Sequence, residues 1–169
     1  VRFNRSGYAL EFYDDQPAFG PGAILATVSG ETISNVDAVL TVGGKITGTT
    51  QNTSGAPIGV SLRPYSVLHS TFSRATLTSN ASTGAFTFSN VKPGQYKLRF
   101  SINSIGYAEE WYNDAADFAS AQVITVTEGG TTSGILAQLV PVASEIGVTQ
   151  GTTPIATGGT YAYGSRMVN

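Results

Sequence analysis

The chain has 169 residues, of which 41% are hydrophobic and 12% charged, with a net charge of -2; this suits a globular fold and argues against a disordered tail. Its nine Lys and Arg are scattered, so the basic stripe of a nucleic-acid binder is missing, and no run of about 18 apolar residues marks a membrane span. The absence of Cys rules out a disulfide framework and a thiolate metal site, while 20 Gly and abundant Thr, Ser and Val favour short strands and tight turns.

In chain order, the strand-like VRF (1–3) leads into GYALEFYDDQPAF (7–19). The same plan returns as LRF (98–100) and GYAEEWYNDAADF (106–118), a period of about 99 residues. Tyr8 aligns with Tyr107, Glu11 with Glu110, Phe12 with Trp111, Tyr13 with Tyr112, Asp15 with Asp114 and Phe19 with Phe118. Without gaps the alignment continues through Gly30 and Gly129, Ser34 and Ser133, and Ala38 and Ala137, to Leu40 and Leu139. Residues 1–42 therefore read as the second half of one copy, and 43–142 as a complete copy whose repeat runs from Gly43 to Leu139.

Alternation and turn residues place strands in the complete copy at 45–50, 60–65, 74–80, 85–91, 95–102, 123–129 and 132–139. Tyr96, Leu98 and Phe100 fall on one face of their strand. Trp111, Ala115, Phe118 and Ala119 are spaced for a turn or two of helix within 108–121. Residues 143–169 change character and form a tail or the first strands of a following module, with strand-like EIGVTQ and GTYAYGSRMV.

The acidic and aromatic crossover is the main candidate for chemistry. Glu109 and Glu110 are neighbours, so a strand sends them to opposite faces and a helix splays them, neither of which builds an acid/base pair. Only Glu110 recurs, as Glu11, because Leu10 matches Glu109. A packing role is expected for Tyr8, Phe12, Tyr13, Tyr107, Trp111 and Phe118. Asn113, Asp114 and Asp117 offer hard oxygen ligands to Ca²⁺ but lack the EF-hand loop pattern, and a cap or turn role for Asp114 is the simpler reading. Trp111, Tyr112 and Tyr107 are the candidate stacking platform for a sugar, which would require an exposed ring. The single histidine, His69, has no acid near it in sequence, and no G-x-S-x-G elbow occurs, so no catalytic residue, metal site or cofactor is assigned. A resemblance to collagen-adhesin B-type sandwiches would imply an internal isopeptide lysine in the first strand, where Lys45 lies, but the last strand of that copy, TSGILAQL, offers no Asn or Asp; the earlier copy has Asn35 and Asp37 there. Asn4, Asn52 and Asn80 stand in N-x-[ST] patterns that a Ser/Thr-rich chain produces readily.

The combination GGKITGTT, NTSGAPIGVSL, TGAFTFSNVKPGQYKLRF, GYAEEWYND and VITVTEGGTTSGILAQL resembles the bacterial carboxypeptidase regulatory-like domain. That resemblance implies an Ig-like or prealbumin-like antiparallel β-sandwich, here one complete domain with partial flanking domains, and a non-catalytic extracellular or cell-surface role. The stretch from Glu145 to Asn169 resembles the opening of an Ig-like module of the Hydin or choice-of-anchor D kind. The expected function is a stalk, spacer or fibre subunit, its partners being neighbouring domains or further copies joined head-to-tail by strand complementation. The alternative is a glycan- or surface-binding adhesion module.

Overall fold

The computed structural model describes residues 1–13, 16–17, 24–68, 76–102, 106–142, 149–150 and 153–154. Among them the protein is all-β, with no helix. In chain order the strands are β1 (Arg2–Phe3), β2 (Glu11–Phe12), β3 (Gln16–Pro17), β4 (Gly44–Asn52), β5 (Ser61–Ser66), β6 (Leu77–Thr78), β7 (Ala85–Val91), β8 (Gly94–Phe100), β9 (Glu110–Trp111), β10 (Ile124–Val126), β11 (Thr131–Leu139), β12 (Thr149–Gln150) and β13 (Thr153–Pro154).

Two sheets from β4 to β11 enclose one core. One has the order β10-β8-β5-β6, with β9 also pairing with β8, and the other the order β11-β4-β7. Period-two alternation supplies the inner faces: Phe86 and Phe88 from β7, Tyr96, Leu98 and Phe100 from β8, Ile135, Ala137 and Leu139 from β11 are all buried. Phe86 meets Phe88 and Phe100 edge-on, with ring centroids 6.3 and 6.0 Å apart. The Thr50 and Ser79 hydroxyls, both buried, lie 2.7 Å apart, and Ser79 accepts the Val60 amide at 3.0 Å, which ties β4 to the opposite sheet through satisfied polar groups.

Most pairings are antiparallel, but β4 and β11, the first and last strands of the unit, run parallel. A parallel pair needs a long connection, and here the rest of the unit supplies it. The register runs from Thr131 opposite Lys45 to Leu139 opposite Asn52, with an irregularity between Thr132 and Ile135. Gly48 permits the close approach: a Cβ there would lie 2.2 Å from the Ile135 carbonyl oxygen and 2.6 Å from the Phe86 ring.

The helix expected within 108–121 is not formed. Arg99 pairs with Trp111 and Phe100 with Glu110, which makes 110–111 a strand, and turns occupy 112–114 and 118–120. The Tyr112 amide donates to Leu98 and the Gln122 amide to Tyr112, so backbone groups a helix would need are engaged elsewhere. Two strands are shorter than alternation suggests: 123–129 contracts to 124–126 because 128–129 turn, and among the described residues 74–80 contracts to 77–78. In the tail only the pairing of β12 with β13 is described.

Among the described residues, 1–43 repeat several backbone features of 98–142. The Ala9 amide donates to Thr41 at 2.9 Å as Ala108 does to Val140 at 2.9 Å, and Gly43 donates to Gly7 at 3.0 Å as Val142 does to Gly106 at 2.9 Å. Tyr13 donates to Val1 as Tyr112 does to Leu98, and Glu31 to Val28 as Gly130 to Thr127. The bridge Tyr8–Val42 matches Tyr107–Pro141, and the β1–β2 register matches that of β8 and β9. Left-handed backbone also recurs, at Gly7 and Gly106, Gly30 and Gly129, and Asn35 (φ 60°) and Gly134 (φ 79°); Asn is among the few residues with a side chain that visit this region readily.

Candidate functional site: the repeated crossover

The crossover from β8 to β10 lies against a face of β8 that the core does not use. Alternation that turns Tyr96, Leu98 and Phe100 inward turns Lys97 and Arg99 outward. The cross-strand pairs Tyr65–Lys97 and Arg99–Trp111 bring Tyr65 and Trp111 to that same outer face. The Trp111 ring lies 4.9 Å from Tyr65 and 5.3 Å from Phe118, with the Arg99 guanidinium 5.7 Å from its centroid. Lys97 is 7% exposed. Its ammonium sits 4.7 Å from the Phe118 ring and donates to the Phe118 carbonyl at 2.5 Å and the Ala119 carbonyl at 3.1 Å, which offsets the cost of burying the charge.

Arg99 extends the cluster. Its Nη2 donates to Glu109 at 2.6 Å and its Nη1 to the Tyr65 hydroxyl at 3.5 Å, and hydrogen bonding to Tyr65, ahead of Glu109, raises the guanidinium above its ordinary value. Sequence reasoning did not single out Lys97, Arg99 or Tyr65. A signal was present in QYKLRF, where two cations alternate with three core residues and need a second layer to cover them.

Glu109 and Glu110 part to opposite faces. Glu110, opposite the fully buried Phe100, is half-buried, and burial, with the charge of Asp114 second, pushes its carboxyl up to about 7. Its counterpart Glu11 is 2% exposed. Tyr107 and Tyr112 pack against the core, whereas Trp111 and Phe118 cover the outer sheet face. The Arg99–Trp111 register fixes the tryptophan outward, so the crossover aromatics pack on two different faces.

Asn113 and Asp114 are exposed on a turn, Asp114 with φ of 53°. Asp114 thus sits on a turn, within the cap or turn role read for it, and Asp117 holds the next turn, its Oδ1 accepting from the Ser120 amide at 2.8 Å and hydroxyl at 2.7 Å; these bonds hold its carboxyl below the usual range. Among the described residues no group of three or more acidic or histidine side chains could hold a metal ion. Lys45 is exposed opposite Thr131, and Asn35 and Asp37 are exposed as well. Asn52 and Asn80 accept nearby amides through their side chains and so serve as turn residues.

In the earlier copy Tyr8, Phe12 and Tyr13 are half-buried, with the Arg5 guanidinium 5.9 Å from the Tyr8 ring. His69, Asp14, Asp15, Phe19 and most of the tail lie outside the described residues. The link between the copies is bound on both sides: Gly43 donates to Gly7 behind it, and Val42 donates to Glu128 ahead of it at 3.2 Å. The arrangement thus fixes a crossover to a sheet and a link to two neighbours. No family model and no curated protein matches the chain.

Proposed function

We propose that the protein is a non-catalytic structural module, a length of stalk or spacer built of tandem units of the carboxypeptidase regulatory-like type and working outside the bacterial cell. The observation that carries this reading is the recurrence of the same hydrogen bonds at matching positions in both copies, including those that bind the links 41–43 and 140–142 to the motifs at 7–9 and 106–108. A link held in this way bends little, so each unit adds a set length and direction.

The mechanism is mechanical. Tension along the chain enters the complete unit at the start of β4 and leaves at the end of β11. These strands are parallel neighbours, so the load shears the register pairs from Thr131–Lys45 to Leu139–Asn52 together instead of opening them one at a time. A glycan-binding reading would use Trp111, Tyr112 and Tyr107, but all three are half-buried and Trp111 is flanked by Tyr65, Phe118 and Arg99, which favours packing.

Single-molecule pulling tests the proposal. Since the chain has no Cys, Thr41→Cys with Val140→Cys provides handles that shear the β4–β11 ladder, and Thr41→Cys with Thr131→Cys provides handles that open it from one end. The shear pair is expected to rupture at the higher force. Equal forces would remove the mechanical reading, and saturable glycan binding lost in Trp111→Ala with the fold kept would replace it with the adhesion reading.

A further inference from the structure

We propose that residues 32–40 are an acceptor edge for a strand of the β4 type, presented by a polypeptide with the sequence character of residues 43–97. This rests on the repeat reading above and adds the partner. Residues 32–40 align with β11 but have no strand partner among the described residues. The backbone nevertheless keeps the β11 shape: Asn35 is left-handed where Gly134 is, at the place where the β11 register shifts. Side chains that β11 and β10 bury are left uncovered here. Ile135, Leu139 and Ile124 are 4%, 0% and 5% exposed, whereas their counterparts Val36, Leu40 and Leu25 are only half-buried, and Ala38, the counterpart of the buried Ala137, is exposed.

The chain's own β4 cannot fill this edge. The pairing is parallel, and only residues 41–43 separate 32–40 from β4, whereas a parallel connection needs about a dozen residues. A second copy gives no gain either, since lending its β4 would strip its own β11, which that strand covers. The occupant is therefore a further front half of the same repeat. Its strand reads like GKITGTTQN, runs parallel to 32–40, and sets its glycine equivalent to Gly48 opposite Val36 and its threonine equivalent to Thr49 opposite Asp37, by the register of β4 on β11. The glycine is a specificity feature, because a Cβ at Gly48 collides with the carbonyl oxygen and Cβ of the residue opposite.

The test fuses an added copy of residues 43–97 ahead of Val1 in the full chain, joining Lys97 to Val1 where the two copies align. Amide hydrogen exchange is read at 32–40 and 131–139, and Asp37→Cys is paired with Thr49→Cys in the added segment. Exchange at 32–40 is expected to slow to that of 131–139, with a disulfide forming at 37–49 and none when the added cysteine replaces Lys45. Residues 32–40 exchanging as fast as in the parent chain, with 131–139 still protected, would overturn the proposal, whether the added segment folds elsewhere or stays unfolded. A Gly48→Val substitution in the added segment that leaves the protection intact would overturn the register. Failure of the repeat reading itself would look different, as lost protection at Ala9 and Gly43 in the parent chain.

Discussion

Among the described residues, 1–43 and 98–142 share a set of hydrogen bonds and left-handed positions but differ greatly in burial. Phe100 is fully buried and its counterpart Phe3 only half-buried; Leu139 is fully buried and Leu40 half-buried. Some shared features are local, set by turn glycines and by Asn35, and others tie the link at 41–43 or 140–142 back to 7–9 or 106–108, but all lie within the second half of the unit, so that half encodes its own backbone. The apolar gain is not local. It comes from β4 to β7, which pack against 98–142, whereas among the described residues no such strands pack against 1–42.

Five substitutions break or sharpen this comparison, and the first has the largest expected effect. Phe100→Ala removes a fully buried ring that meets Phe86, and should lower unfolding free energy by about 3–5 kcal/mol in urea melts. Phe3→Ala should cost well under half as much; equal losses would mean that the earlier copy has a core of its own. Gly48→Val drives a side chain into Ile135 and Phe86 and should destabilise 43–142 by about 1–3 kcal/mol or more, leaving exchange at Ala9 and Gly43 unchanged.

Glu110→Gln tests the buried carboxyl by pH. Its value is raised from 4.5 to about 7, so the folded state holds a proton that the unfolded state releases. This contribution to stability is present in full below about 4.5 and is lost as pH rises through about 7. The wild type should therefore lose stability between those limits, and Glu110→Gln should flatten the profile there; unchanged melting curves across that range would remove the desolvated carboxyl from the account. The smallest effect is expected from Glu109→Ala, which breaks a partly exposed pair with Arg99 and should cost less than about 1 kcal/mol in the same melts. In the earlier copy the aligned residues are Leu10 and Arg2, so the pair has no counterpart there.

The all-β class and the positions of β4, β5, β7, β8 and β11 were legible because alternation and turn residues act locally. The crossover was misread as partly helical for a physical reason: Trp111, Ala115 and Phe118 have helical spacing, but the pairing of 110–111 with β8 takes the backbone hydrogen bonds first. The parallel closure of β4 on β11 left no mark in the sequence, since residues so far apart show their pairing only through the fold. Within the candidate site the aromatic residues stood out, whereas the partners that fix them, Lys97, Arg99 and Tyr65, did not. A cation on an outward strand position reads as solvent-facing until the layer above it is known.

The central claim is that the two copies share one backbone design. Site-resolved amide hydrogen exchange on the full chain tests it most directly, at Ala9 with Ala108, Gly43 with Val142, and Tyr13 with Tyr112. The account predicts protection at both members of each pair, weaker in the earlier copy because its apolar side is less covered. Protection confined to Ala108, Val142 and Tyr112, with their counterparts exchanging at unstructured rates, would contradict it.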